Sequence, residues 1–509
     1  MPPAGGSSAP SLRLLGVVIN TKVSLHSAQS VHVEQELSLR IGGTFERGRG
    51  PAFPVLNPAT EQTIAEVQSA DLEQVERAVA AARAGLDRKE MGSAEERSAA
   101  LTRLADVIES HADEILAVSV NEVGTPVSTA RNLHVDTPLR ALRWLAQGTL
   151  TDRTEYLGRD DGPPASNSKV IYRPVGVVAG IAAYNYPLLF AVIKVGAAFA
   201  AGCPSVLLSS PNAPLGILNF GRFVEEAGWP ASSVSVLAGG VDVAQHLIKQ
   251  PDVAKVTFTG SVPAGKAVMA TAAGGLRDVV LELGGKSAAI VLPSADAASV
   301  VGPIHSRYLR NAGQGCASPT RILVHESALE TFLQHSRDYF SSVAVGDPWD
   351  TQTLVGPVIS ERHRQTVQGY IDSAVADGGV VLARGHKPAG PGWWVQPTLL
   401  GGLGNDARVN QEEIFGPVAT VMTYSTVEEA VAIANDSTFG LHATVWGPLE
   451  EAMDVAYRLD VGQVSINGGG AKRPDAPNGG WKNSGIGREF GEAGIREFLE
   501  AVHIQWPVP

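Results

Sequence analysis

A thiol, a carboxylate and a carboxamide stand in this 509-residue chain in settings where each has a chemical use. Only two cysteines occur, Cys203 and Cys316. Cys316 closes the segment Asn311-Ala312-Gly313-Gln314-Gly315-Cys316, whose glycines can bring backbone donors close to whatever the sulfur attacks; in the duller case such a cysteine is a small buried hydrophobe. Glu282 sits among apolar residues in Leu281-Glu282-Leu283-Gly284-Gly285-Lys286, at the end of a predicted strand. There it is either a paired structural charge or a base whose pKa is raised by desolvation. In Ala183-Tyr184-Asn185-Tyr186-Pro187, Asn185 occupies a tight turn before an apolar helix over 188 to 201. Its amide either caps that helix or points at an oxyanion.

A fourth segment, Gly260-Ser261-Val262-Pro263-Ala264-Gly265-Lys266-Ala267, follows a predicted strand and opens a helix. It misses the phosphate-loop pattern at its last position, where Ala267 has no hydroxyl for magnesium. What remains is a glycine turn and a helix N-terminus, suited to a dinucleotide pyrophosphate without a metal, or simply a βα turn with no ligand. No G-x-G-x-x-G sequence occurs anywhere in the chain.

The elements that must position these groups read as α/β. Asp71-Leu72-Glu73-Gln74 and Ser93-Ala94-Glu95-Glu96 are capping boxes that open two helices. From residue 170 onward, short apolar runs alternate with helix-period segments: 175–182, 205–208, 234–237, 256–258 and 279–283, then 288–292, 322–324, 418–424 and 464–466. Repeated βα units predict a parallel, doubly wound sheet, and the second set a further α/β unit beside it. Acids exceed bases by 52 to 40, for a formal charge of −12, which argues against nucleic acid or an anionic membrane as a partner. Two cysteines exclude a disulfide scaffold or a multi-cysteine zinc site, so no metal is expected, and they point to a reducing, cytoplasmic setting. The charge-free run 174–193 carries Gly176, Gly180, Asn185 and Pro187, so a strand, a turn and a helix start are expected there in place of a membrane span. Residues 1–35 are expected to be a flexible extension.

Taken in order, these motifs resemble those of the NAD(P)-dependent aldehyde dehydrogenase superfamily over residues 41 to 505. The resemblance implies two doubly wound α/β domains, cofactor-binding (36–150 and 173–284) and catalytic (285–484), plus a β-hairpin oligomerisation arm (151–172 with 485–509). It implies Cys316 as nucleophile, Glu282 as general base, Asn185 as oxyanion donor and Lys194 as a proton relay behind the base. Tyr184, Ser209, Ser210, Gly260, Ser261, Leu283, Glu413 and Phe415 match positions around the cofactor, with Glu413 and Phe415 at the nicotinamide ribose and ring. NAD is the first choice of cofactor, but Leu208 and Pro211 replace a Lys and a Glu that grip the adenosine ribose in the family. Losing that carboxylate removes the repulsion against a ribose 2′-phosphate, so NADP stays open.

At the substrate mouth, Tyr186 belongs to the oxyanion turn, while Arg310, Lys472, Arg473 and Asn478 match positions that are aromatic in many relatives. A polar or carboxylate-bearing aldehyde is therefore expected. A CoA-acylating dehydrogenase, which would usually lack the base, and a nucleotide hydrolase built on the Gly260 loop are the alternatives. The resemblance also implies a homodimer or homotetramer.

Overall fold

The computed structural model describes residues 37–508, so the expected extension over 1–35 lies outside the described residues. Both capping boxes form. The Asp71 and Ser93 side chains accept from the backbone N–H groups of Gln74 and Glu96, whose own side chains return a bond to the cap residues of helices Leu72–Asp87 and Ala94–Ser110.

The apolar runs become two largely parallel sheets. In the first, strands Val234–Ala238, Ser205–Ser209, Val177–Ile181, Val253–Thr259 and Asp278–Glu282 lie side by side in that order, all parallel. In chain order this is 3-2-1-4-5, a doubly wound arrangement whose direction of winding reverses between Val177–Ile181 and Val253–Thr259. Right-handed crossovers then put helices on both faces and leave a crevice beyond the strand C-termini at the reversal. The helices fall into two groups accordingly. Ala94–Ser110 and Thr137–Thr149 pack with Ala197–Ala200, and Ala94–Ser110 also packs with Leu215–Glu226, whereas Leu72–Asp87 packs with Val241–Lys249, itself against Val262–Ala273.

The second sheet orders Val380–Arg384, Thr398–Gly401, Val418–Tyr424, Pro319–His325, Ser287–Val291, His442–Trp446 and Gln463–Ile466, parallel except for the first pair. The chain passes from the first sheet to the second through Leu283 to Lys286, and returns to the edge of the first after Gln463–Ile466. A third, antiparallel sheet joins Glu155–Asp160, Ser166–Pro174 and Leu499–Pro507, the three segments expected in the arm. Gly485–Ile486, by contrast, pairs antiparallel with Asp278–Glu282, so this stretch belongs to the edge of the first sheet. Two apolar cores lie on the faces of the second sheet, and one larger core surrounds the first.

The charge-free run 174–193 divides into strand Val177–Ile181, a turn and helix Pro187–Ala191. Among the described residues no helix is long and apolar enough to cross a membrane. The helix expected over 188–201 is not uniform: a π-helical turn, Val192–Gly196, interrupts it and carries Lys194. An extra residue per turn rotates the side chains that follow, a distortion often found at functional sites.

Candidate active site

The residues that follow the strands of the first sheet meet those that precede the strands of the second. Asn185 comes after Val177–Ile181, Gly260 after Val253–Thr259, and Glu282 ends Asp278–Glu282, while Cys316 precedes Pro319–His325 and Glu413 precedes Val418–Tyr424. Asn185 is buried, and its Nδ2 donates to the Gln314 carbonyl at 2.9 Å, two residues before the sulfur. A carboxamide NH2 has two hydrogens, so this bond leaves one for a further acceptor.

Three successive left-handed residues, Asn311 (φ 52°), Ala312 (φ 53°) and Gly313 (φ 77°), bend the chain toward Cys316. Such strain persists only where surrounding bonds over-determine it. Thr125 Oγ1 donates to Asn311 Oδ1 at 2.7 Å, Gln314 Nε2 donates to the Asn311 carbonyl at 3.2 Å, and the Ile359 N–H donates to Gln314 Oε1 at 2.9 Å. Glycine is required at 313, because a Cβ there would lie 2.0 Å from the Gly416 carbonyl oxygen.

Cys316 is half-buried, whereas Cys203 is wholly buried with its thiol on the Phe498 carbonyl. Burial pushes the Cys316 thiol up to about 12, and the Glu282 and Glu413 carboxylates add to the rise; Lys472 and the Ala317 backbone oppose it. Glu282 is also buried. Desolvation raises it to about 8, the Glu489 carboxylate contributes in the same direction, and Lys472, Lys194 and Arg488 pull it down. Asn478 Nδ2 donates to Glu282 Oε2 at 3.3 Å, and Glu282 Oε1 has no partner. A carboxylate with a free oxygen and a pKa near neutrality can take a proton from water.

Lys194 is fully buried and donates to Glu489 Oε1 at 2.7 Å and Thr257 Oγ1 at 3.1 Å. Glu489 and Asn478 exchange both backbone hydrogen bonds, each at 2.7 Å, which places the Lys194–Glu489 pair beside the Asn478–Glu282 contact. Sequence reasoning missed Glu489. It is 295 residues from Lys194, and nothing local marks it out.

Around the crevice, the Tyr184 and Phe415 rings meet edge-on with centroids 6.1 Å apart, and Phe415 is held by His363 Nε2 on its carbonyl at 2.8 Å. Glu413 Oε1 accepts from the Gly285 N–H at 3.0 Å, and desolvation raises its carboxyl to about 7. Gly284 and Gly285 form a strap with no room for side chains: a Cβ at 284 would sit 2.1 Å from Glu413 Oε2, and one at 285 would sit 2.5 Å from the Cys316 carbonyl oxygen.

The Gly260 N–H is committed to the Glu282 carbonyl at 3.1 Å, so this residue ties the turn to the carboxylate strand and has no amide left for a phosphate. Ser261 caps helix Val262–Ala273 through the Ala264 N–H. Leu283 is buried, and Gly265 of that helix lies so close that a Cβ there would meet Leu283 Cδ2 at 2.5 Å. Ser209 is buried with an unpartnered Oγ, and Ser210 Oγ accepts from the Asn212 N–H at 3.3 Å. At the mouth, Gly315 abuts the Tyr186 hydroxyl, and Lys472 Nζ donates to Asn478 Oδ1 while lying 4.7 Å from the Phe490 ring centroid. Arg473 turns away to Asp475.

Two α/β sheets with a doubly wound crevice beside a half-buried thiol are the arrangement of a dinucleotide-type oxidoreductase. A family model described as the aldehyde dehydrogenase family matches residues 45–504. The chain belongs to the aldehyde dehydrogenase family. An aldehyde dehydrogenase of Alternaria alternata is 34% identical over 491 residues, covering 94% of this chain and 97% of that one. Among solved structures, the NAD+ complex of an aldehyde dehydrogenase from Bacillus cereus has a TM-score of 0.89 at 31% identity, covering 93% of this chain and 97% of that one. A mutant of aldehyde dehydrogenase C from Pseudomonas syringae, complexed with NAD+ and octanal, has a TM-score of 0.88 at 34% identity, covering 94% and 98%.

Replacing Asn185 with alanine should lower kcat by about 10²- to 10³-fold while KM moves little, because the amide is needed most when negative charge develops on oxygen. Steady-state kinetics, with thermal melting to confirm folding, checks this; an unchanged kcat would remove Asn185 from the reaction.

Proposed function

We propose that this chain oxidises an aldehyde to its carboxylic acid with NAD or NADP as oxidant, through a covalent intermediate on Cys316. The observation that carries the reading is the meeting, at one half-buried thiol, of an amide from the first sheet and a buried carboxylate with an unpartnered oxygen.

The crevice suits a dinucleotide. Ser209 Oγ and Thr259 Oγ1, on the two strands that flank Val177–Ile181, are both buried without partners and offer hydroxyls to a polar ligand. Ser261 and the N-terminus of helix Val262–Ala273 would hold the pyrophosphate, Glu413 the nicotinamide ribose, and Phe415 with Tyr184 the ring. Bacillus cereus and Pseudomonas syringae relatives were solved with NAD+. Leu208 is buried in the apolar core and Pro211 carries no charge, so no carboxylate at these two positions repels a 2′-phosphate, and both cofactors should be accepted. When bound, the dinucleotide supplies the acceptor for the hydride that leaves the substrate carbon.

The Cys316 sulfur, as thiolate, attacks the aldehyde carbon. Lys472 favours that thiolate, while Glu282 and Glu413 disfavour it. The alkoxide is held by Asn185 Nδ2 and the Cys316 N–H. Loss of hydride leaves a thioester. Glu282 then takes a proton from water as the water oxygen bonds to the acyl carbon, the C–S bond breaks, and the carboxylic acid leaves with the thiolate restored. Lys194 and Glu489 lie behind Glu282 and act on its charge, which suits the relay role expected of Lys194. The unpartnered oxygen of Glu282 favours water over a CoA thiol as acyl acceptor.

Purified protein with a panel of aldehydes should reduce NAD, and NADP within about tenfold in kcat/KM, read as nicotinamide absorbance. Should no aldehyde reduce either cofactor while ATP is hydrolysed, the reading is wrong.

A further inference from the structure

The mouth of the site holds two arginines, Arg307 and Arg310, that form no ion pair among the described residues. Arg307 donates through Nη1 to the Gly468 carbonyl at 3.1 Å and through Nη2 to His442 Nε2 at 3.3 Å, and its buried Nε has no partner. Three residues on, the side chain of half-buried Arg310 makes neither a hydrogen bond nor an ion pair among the described residues. Exposed Lys472 has Asn478 and the Phe490 ring beside its Nζ and no ion pair among the described residues, although the Glu282 and Glu489 charges act on it. Most other arginines in the described chain that are enclosed to this degree have a carboxylate or carbonyl acceptor: Arg40 has Glu225, Arg153 has Glu492, and Arg321 has backbone carbonyls.

The three cations converge. Arg310 and Arg307 repel one another, both they and Lys472 act on buried His442, and Arg310 also acts on Tyr186, whose hydroxyl lies against Gly315 beside the nucleophile. The His442 ring is kept neutral by burial and by these charges, so it adds no fourth charge and serves as an acceptor for Arg307. Like charges brought together in a partly desolvated place raise the free energy of the empty site, and an anion entering it relieves that cost. A guanidinium with its fork unoccupied is shaped for a carboxylate. An apolar aldehyde would leave the two half-buried arginines unpaired and partly stripped of water.

We infer that the substrate is a semialdehyde, an aldehyde whose other end is a carboxylate, and that Arg310 and Arg307 receive that carboxylate while the carbonyl carbon faces Cys316. This rests on the aldehyde dehydrogenase reading and names its substrate class. Lys472, turned onto Asn478 and so toward Glu282, is the cation closest to the chemistry, and the arginine pair is the tail site.

Two measurements test it. In the first, kcat/KM for succinic semialdehyde is compared with that for butanal, which has the same chain length without the charge. The semialdehyde should be preferred by at least 100-fold, and R310M should cut that ratio at least tenfold, chiefly through KM, while R310K restores most of it. A preference for butanal, or a ratio untouched by R310M, overturns the proposal and leaves the dehydrogenase intact. The second needs no turnover or cofactor. Cys316 is alkylated in the intact protein with iodoacetate or with neutral iodoacetamide, followed by mass spectrometry of its peptide. The iodoacetate-to-iodoacetamide rate ratio should fall at least fivefold in R310M and largely return in R310K. An unchanged ratio says that no anion senses Arg310 at this thiol, and the proposal falls whether or not any aldehyde is oxidised.

Discussion

Replacing Cys316 with alanine should abolish aldehyde oxidation, a fall of about 10⁴-fold or more in kcat, because the covalent route proposed above passes through its sulfur. No other residue can substitute. Cys203, the one other thiol in the sequence, is wholly buried against Phe498, and burial pushes it up to about 11. Serine at 316 should be nearly as inactive, since a hydroxyl without an adjacent strong base is a far weaker nucleophile than a thiolate. The loss should be confined to chemistry. Cys316 is half-buried and lies outside the three apolar cores, so the melting temperature of the alanine variant should stay near that of the parent protein. Dinucleotide binding, followed by fluorescence quenching, should survive as well, because Glu413 and Phe415 keep their ties to Gly285 and His363. Oxidation that continues undiminished in the alanine variant would discard the covalent route altogether.

Local chemistry made much of this molecule readable from its residues alone. Asp71 and Ser93 cap the helices they were expected to cap, since a capping box needs only residues three apart. The parallel strands followed from short apolar runs, which are buried on both faces and so show little polar alternation. The division of labour within the site is harder to read, because it depends on which distant residues fold next to one another. Glu489 reaches Lys194 only because Gly485–Ile486 returns to the edge of the first sheet and the chain then bridges to Asn478. Arg307 gives no local sign of facing the mouth; it lies one turn before Arg310 at the end of helix Ala297–Leu309. The Gly260 turn holds a contact of the same kind: its amide fastens the turn to the Glu282 carbonyl, a bond that appears only once two strands are side by side. The π-helical turn at Lys194 is likewise invisible to helical periodicity, which assumes a constant number of residues per turn.

Changing Glu282 to glutamine separates the two halves of the reaction. The amide keeps the shape and the contact with Asn478 but cannot accept a proton, so release of the acyl group should slow by about 10²- to 10⁴-fold. The thioester should then accumulate. A rapid burst of reduced cofactor approaching one equivalent per site is expected, followed by very slow turnover, and intact-protein mass spectrometry should find the acyl group on Cys316. The same change acts on the thiol in the opposite sense. The Glu282 carboxylate raises the Cys316 pKa, so removing its charge favours the thiolate, and the pH midpoint for alkylation by iodoacetamide should move to lower pH than in the parent protein. A merely structural role for Glu282 would instead slow burst and turnover together and leave the alkylation profile where it was. If the variant deacylates at the parental rate, some other group activates the water, and the free oxygen of Glu282 has a different purpose.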